Sequence, residues 1–300
     1  PLTIPFDKLA NGRGFLAQLE WDASAGSRVL VWDLRYNRLA ASSWRAESCW
    51  AYHVINVFDE NGLITIDLNA YREPDIATGP HGFAYLPNMQ GGPSALAKQV
   101  RDGRYLRMQV NDYGDPTPTR SAVCSWLDMV DDREREWTFE LVRVNEVYSG
   151  KRHRFAYGFT GFNHQHEGSN RFGPGGAVVK MDTEANPPKG PAPSSLKPRV
   201  KGRFEGEGVS TAAGRTGLPA CPKPSVAVWS SETIFPSEPV FVPRPGAEDE
   251  DDGVLIFLGY DTLRRESLMG VLNAKDMSEL ARVYAGSRCC VSFHGQWIPA

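Results

Sequence analysis

Six histidines, His53, His81, His153, His164, His166 and His294, are the side chains in this chain best able to hold a transition metal. A neutral imidazole offers a nitrogen lone pair near neutral pH, and it needs neighbours of the same kind to make a site. His53 opens the stretch Tyr52–Leu68, YHVINVFDENGLITIDL, where a period of two puts it on one strand face with Ile55 and Val57. An imidazole among apolar neighbours is either a core histidine satisfied by one hydrogen bond or a metal ligand with partners elsewhere in the chain. His164-Gln165-His166 has the spacing of two strand residues facing one ion, but its context FNHQHEGSNRFG is polar and Gly-rich and reads as a loop. His81 follows Gly79-Pro80 and falls in a turn, and His153 lies among Lys151, Arg152 and Arg154, which draw it toward solvent. His294, in VSFHGQWIP, reads as buried between Phe293 and Gly295 with Trp297 close by; the glycine allows close backbone approach to whatever the ring binds.

Carboxylates complete such a site, because a ligating imidazole donates its other N–H to a carboxylate or carbonyl that fixes its tautomer and direction. Glu140 in WTFELVRV and Glu238 in PSEPVFVPRP are embedded in apolar runs. Each is either a strand-end residue facing water or a buried group that demands a partner. The nucleophile elbow GxSxG, a Walker loop and HExxH are all absent from the sequence, which sets aside those hydrolase, phosphate-binding and zinc-protease chemistries.

The elements that must position these residues are strands. SRVLVWDL, GLITIDLNAY, YLRMQV, WTFELVRV, AVVKMD, SVAVWS, PVFVP, GVLIFLGY and SLMGVLNA are short, rich in β-branched residues and separated by Gly, Pro, Asn or Asp. Asn61-Gly62 predicts a tight hairpin turn. SALAKQVRDG predicts a brief helix, and KDMSELARVY a second helix or a turn leading into a strand. Many short strands with few helices predict an all-β protein, a sandwich, barrel or propeller. From Asn186 to Pro224 the chain is rich in Pro, Gly, Ser and basic residues, which predicts a flexible surface insertion in an otherwise single domain spanning residues 1–300.

Composition narrows the function. At 300 residues, 41% hydrophobic and 23% charged, the chain can build a sizeable core, and a net charge of −3 excludes the basic field that holds nucleic acid. Five cysteines without CxxC spacing predict buried free thiols in a reducing, cytoplasmic setting. No run approaches the roughly 20 apolar residues of a membrane span. The first residues lack the layout of a signal peptide and an initiator Met, so the chain is expected to start partway through a longer product.

SEPVFVPRPGAEDEDDG, LMGVLNAKDMSELARV and FHGQWIP, in that order, resemble the C-terminal portion of the carotenoid cleavage oxygenases. That family includes the retinal-pigment-epithelium isomerohydrolase and the stilbene-cleaving enzymes. YHVINVFDENGLITIDLNAY resembles its segment in which a histidine precedes x-x-Asn, an acidic residue and a glycine, and FELVRVNEVYSGKRHRFAYG resembles the stretch between. The resemblance runs from Trp32 to the C-terminus, outside the insertion. It implies part of a seven-bladed β-propeller, about four blades in this chain, with a non-haem Fe(II) on the axis held by four histidines. His53 is similar to the third ligand and His294 to the fourth, with Glu140 orienting the first of these and Glu238 the second.

The reaction implied takes O2 and a carotenoid, an apocarotenoid or a related conjugated alkene to two carbonyl products, in a tunnel with apolar and aromatic walls. Trp21, Trp32, Trp44, Trp50, Trp126, Tyr157 and Phe162 could line such a tunnel or simply fill a core. Shallow peripheral contact with a membrane follows from the solubility of the substrate in lipid. Two further histidines and a third glutamate come earlier in the family, so the chain is expected to be a fragment lacking two of the four ligands and inactive alone. The alternative is a degenerate, non-catalytic member that binds an apolar ligand or serves as a scaffold. A retinoid isomerohydrolase would need ester substrates and firm membrane docking, and no palmitoylation cluster or amphipathic anchor in the sequence supports it.

Overall fold

The structure, a computed structural model, describes residues 2–3, 19–72, 103–111, 113, 120–160, 176–185, 224–289 and 294–298. The readings at His81, His164, His166, Phe162, Cys221 and Cys290, nearly all of the SALAKQVRDG helix and residues 186–223 of the insertion lie outside them.

Alternating apolar residues become strands that stack into successive sheets. A short pair, β1 (Leu2–Thr3) with β2 (Glu20–Trp21), precedes a sheet of β3 (Ser27–Asp33), β4 (Arg38–Ala46) and β8 (Arg120–Ser121). The second sheet orders β5 (Trp50–Glu60), β6 (Leu63–Tyr71), β7 (Arg104–Asn111) and β9 (Val123–Trp126). The third runs β10 (Glu140–Arg143), β11 (Phe155–Thr160), β12 (Ala177–Asp182), β13 (Val226–Ser230), so the Pro/Gly-rich segment connects two paired antiparallel strands. The fourth contains β14 (Ile234–Pro236), β15 (Val240–Pro243), β16 (Gly253–Asp261), β17 (Glu266–Asn273) and β18 (Glu279–Tyr284). Helix among the described residues is limited to two 3-10 turns, Ala23–Ala25 and Glu146–Tyr148. KDMSELARVY resolves into a turn followed by β18.

Each interface between neighbouring sheets holds its own core. Val29 and Ala46 pack against Ala70, Leu106 and Met108 between the first and second sheets. Ile55 and Tyr105 meet Ala156, Val179 and Met181 between the second and third. Tyr157 and Val178 meet Ile234, Phe241, Leu255 and Phe257 between the third and fourth. Phe257 is 2% exposed, and burial of such a ring contributes about 2 kcal/mol. Gly270 is required beside it, because a Cβ there would collide with the Phe257 ring. Trp44 and Tyr157, candidates for a tunnel wall, are core residues at 1% and 0% exposure. The thiols depart from expectation: Cys49 and Cys124 are only partly buried, and Cys289, in the segment after β18, is exposed.

The hairpin around Asn61-Gly62 is present, with φ of 55° and 81° at the two turn residues and Glu60 opposite Leu63. The face expected for β5 is not. Its register against β6 shifts between Ala51 and His53 and again between Val54 and Asn56. Such bulges re-aim side chains. They leave His53 and Ile55 inward, turn Asn56 and Phe58 inward as well, and expose Val57.

Candidate metal centre

Consecutive sheets supply the site from their first strands. His53 sits on β5, at the edge of the second sheet, and Glu140 begins β10, at the edge of the third. The His53 Nδ1 lies 2.9 Å from Glu140 Oε2, with side chains 28% and 24% exposed. The same oxygen accepts the Leu141 N–H at 3.1 Å, and Tyr71, at the end of β6, donates its hydroxyl to Oε1. Leu141 has a φ of +50°, a conformation that costs a non-glycine residue about 1 kcal/mol, and the β10–β11 register shifts between Glu140 and Arg143. The bulge and the left-handed residue aim the Glu140 carboxylate back at its own backbone and at His53.

Glu238 reaches the site through a break in an edge. β14 and β15 both pair with β16, and Ser237-Glu238-Pro239 interrupts what would be one continuous strand. Pro239 has no N–H to offer a ladder, which favours the break there. The Glu238 side chain is 3% exposed, and its Oε1 lies 3.1 Å from the His294 Nδ1. Its Oε2 accepts the Gly295 N–H at 2.7 Å, and Arg143 Nη1 stands 3.8 Å from Oε1. His294 itself is 57% exposed, against the buried position expected for it, and the described residues 294–298 belong to no strand. Beside it Val240, Ile256, Leu258 and Trp297 line an apolar cleft.

The two imidazoles converge. Their ring centroids are 5.3 Å apart at an interplanar angle of 73°. With Nδ1 of each ring donating to a glutamate, Nε2 carries the lone pair, which is the arrangement of a metal-ligating histidine. Two imidazoles sharing one ion at about 2.1 Å from each nitrogen stand with ring centres roughly 5 Å apart. The donor set therefore fits a divalent transition metal with preference for nitrogen ligands. Among the described residues no group of three or more His, Cys, Asp or Glu gathers to cage an ion.

His153 takes another place. Instead of facing solvent it is buried, its side chain 0% exposed, between the second and third sheets. Its Nε2 lies 2.9 Å from the Tyr105 hydroxyl and its Nδ1 3.1 Å from the Asn56 amide. Burial pushes its pKa down to about 4. The flanking Arg152 and Arg154 instead face the surface, where Arg152 pairs with Glu60 and Glu184 and Arg154 with Asp182.

A family model described as retinal pigment epithelial membrane protein matches residues 1–299. The chain belongs to this family. Relatives of this member of the retinal pigment epithelial membrane protein family include the mitochondrial carotenoid-cleaving dioxygenase of Homo sapiens, 24% identical over 325 residues, covering 100% of this chain and 48% of that protein. A carotenoid dioxygenase of Neurospora crassa is 24% identical over 300 residues, covering 93% and 41%. Among solved structures, a mutant of the Synechocystis apocarotenoid oxygenase superposes with a TM-score of 0.65 at 17% identity, over 100% of this chain and 50% of that one. The cobalt-substituted form of the Synechocystis enzyme gives 0.63 at 17% identity, over 95% and 46%. The family member described here thus spans about half the length of the curated relatives it matches. Its fold is the all-β one expected, about four blades of a propeller whose sheets do not close into a ring.

Within this family member, sequence reading missed Tyr71 and Arg143. Tyr71 ends a half-buried strand and Arg143 lies in an apolar run, so neither position signals a link to a glutamate 69 or 95 residues away in the chain. β10 carries Glu140 at one end and Arg143 at the other, and so touches both imidazole–carboxylate pairs.

Proposed function

We propose that this protein is a non-haem Fe(II)-dependent dioxygenase that cleaves a conjugated double bond of a carotenoid or apocarotenoid, with O2, to two carbonyl products. The observation that carries this is the convergence of His53 and His294, each with Nδ1 tied to a glutamate from a sheet edge. His53 and His294 would hold the iron through Nε2, and Glu140 and Glu238 would fix their tautomers and directions. Bound Fe(II) would supply the activation of O2. Tyr71, Leu141 and Arg143 hold the two glutamates in place, and Val240, Ile256, Leu258 and Trp297 form an apolar cleft beside His294. The relatives named for carotenoid cleavage support the substrate class.

The chain would be the C-terminal part, about four blades, of a seven-bladed propeller in which upstream sequence supplies two further histidines. It would work in a reducing, cytoplasmic setting with shallow contact to a membrane from which a lipid-soluble polyene is drawn. No helix of the described residues is long and apolar enough to cross a membrane.

Anaerobic calorimetry and elemental analysis of the 300-residue chain with Fe(II) test the reading. Weak binding that disappears in both His53→Ala and His294→Ala is expected, without turnover of a carotenoid by this chain alone. Binding unchanged in both variants overturns the site, and iron-dependent cleavage by the chain alone overturns the shared ligand set.

A further inference from the structure

Asn56 stands three residues beyond His53, on the inward side of the β5 bulge, and every polar atom of its amide is used. Nδ2 donates to the carbonyl oxygens of Tyr148 at 3.0 Å and Lys151 at 2.9 Å, and lies 3.1 Å from His153 Nδ1. Oδ1 accepts the N–H of Val57, the next residue of the bulge, at 3.0 Å, and that of Gly150 at 3.0 Å. Tyr148, Gly150, Lys151 and His153 all belong to the connection between β10 and β11. One side chain on the strand of His53 therefore grips the connection leaving the strand of Glu140.

His153 extends the grip into the second sheet. An amide nitrogen can only donate, so His153 Nδ1 shares the two Asn56 Nδ2 protons with the carbonyls of Tyr148 and Lys151. The ring proton therefore sits on Nε2, 2.9 Å from the Tyr105 hydroxyl on β7 and 3.7 Å from Asp67 Oδ2 on β6. Asp67, 0% exposed, is in turn held by Arg107 through two bonds of 2.8 Å each. The bidentate ion pair compensates a charge that could not otherwise stay buried there. Asn56, His153, Tyr105, Asp67 and Arg107 form a satisfied network that ties β5, β6 and β7 to the β10–β11 connection. A buried network of this kind specifies one geometry, since any shift of a sheet strands a polar atom away from water.

We infer that Asn56 and His153 are positioning residues: they clamp the second sheet to the third and thereby set the 2.9 Å contact of His53 with Glu140. The inference rests on the site reading above in taking that pair as its object. It goes beyond that reading by assigning the spacing of the pair to groups that touch neither a metal nor a substrate.

The test is hydrogen exchange at the His53 Nδ1–H, read by NMR in the whole metal-free chain with 15N-labelled histidine and assigned with His53→Ala. Asn56→Ala is expected to speed that exchange about tenfold or more, the loss of roughly one to two hydrogen bonds of restraint. His153→Leu is expected to do the same. His153→Gln keeps an acceptor for Asn56 and a donor toward Asp67, and is expected to stay near wild type. Val178→Ala, a truncation in the core between the third and fourth sheets, controls for general loss of stability and should leave the signal unchanged. Asn56→Ala exchanging like wild type overturns the clamp while leaving the site reading intact. A wild-type chain without a protected His53 Nδ1–H overturns the pairing itself and the clamp with it. Should Asn56→Ala fail to fold, the contrast of His153→Leu with His153→Gln decides: equal exchange in the two overturns the clamp.

Discussion

The two imidazole–carboxylate pairs reach the same geometry by opposite means. At His53 the imidazole and Glu140 are similarly exposed, 28% and 24%, and both ride on strands paired into sheets. At His294 the imidazole is 57% exposed on a segment outside any strand, and its partner Glu238 is 3% exposed. In the first pair the backbone holds the ring and the carboxylate finishes its orientation. In the second the buried carboxylate is the anchor, and it captures the segment through both the His294 ring and the Gly295 N–H. Rigidity has to come from somewhere in each case. A sheet supplies it through ladders, whereas a lone segment must obtain it from a charge-assisted hydrogen bond whose acceptor is itself fixed. Arg143 next to Glu238 supplies the compensating charge that a buried carboxylate requires.

The comparison is broken most severely at Asp67, which stands behind the His53 side only. Asp67→Ala leaves Arg107 and His153 facing an empty place in a buried network, and unfolding by denaturant should show a loss of about 3–5 kcal/mol. Exchange of the Gly295 amide relative to global unfolding should hardly change, and a local acceleration there would erase the distinction between the two sides.

Acid probes the same side more gently. His153 has a folded pKa of about 4, below the unfolded value of about 6.5, so its neutral form favours the native state. The contribution is fully present above about pH 6.5 and is lost as pH falls from there toward 4, on the order of 3 kcal/mol across the window. Urea midpoints at pH 7 and pH 5 should converge in His153→Gln and diverge in wild type. Equal pH slopes in the two proteins would remove His153 from the account.

The two glutamates sharpen the comparison directly. Loss of a group that orients a ligating histidine costs about 10–100-fold in metal affinity. Glu238→Ala should lie at the upper end, because His294 sits on a segment outside any strand and Glu238 bonds both its ring and the Gly295 N–H, and Glu140→Ala at the lower end, because β5 still presents His53. Cobalt(II) titration of both variants ranks them, and the reverse order would contradict the division of labour. The smallest effect is expected at Tyr71→Phe: one hydrogen bond to Glu140, about 1 kcal/mol in stability, with a severalfold weaker affinity at most.

Much of this was legible in the chain. Period-two runs bounded by Gly, Pro and Asn located the strands, and Asn61-Gly62 announced its turn by the φ angles it tolerates. His53, Glu140, Glu238 and His294 stood out because polar groups in apolar runs need partners, and the structure places them in two contacting pairs. Other features were not legible. Val57 is exposed and Asn56 buried because a bulge adds a residue to β5, and no local pattern announces a bulge. His153 looked solvated from its basic neighbours, yet Asp67 and Tyr105, distant in sequence, make a buried place for it.

Local chemistry thus marked most of the strands, the likeness to a family and the candidate metal ligands, since each depends on residue type and spacing along a few residues. The family resemblance already paired Glu140 with His53 and Glu238 with His294, whereas only the tertiary structure decided how each pair is made rigid and that β10 serves both. Those outcomes depend on register, bulges and the stacking of sheets, where contacts between residues far apart in the chain compete for the same space and the same hydrogen bonds.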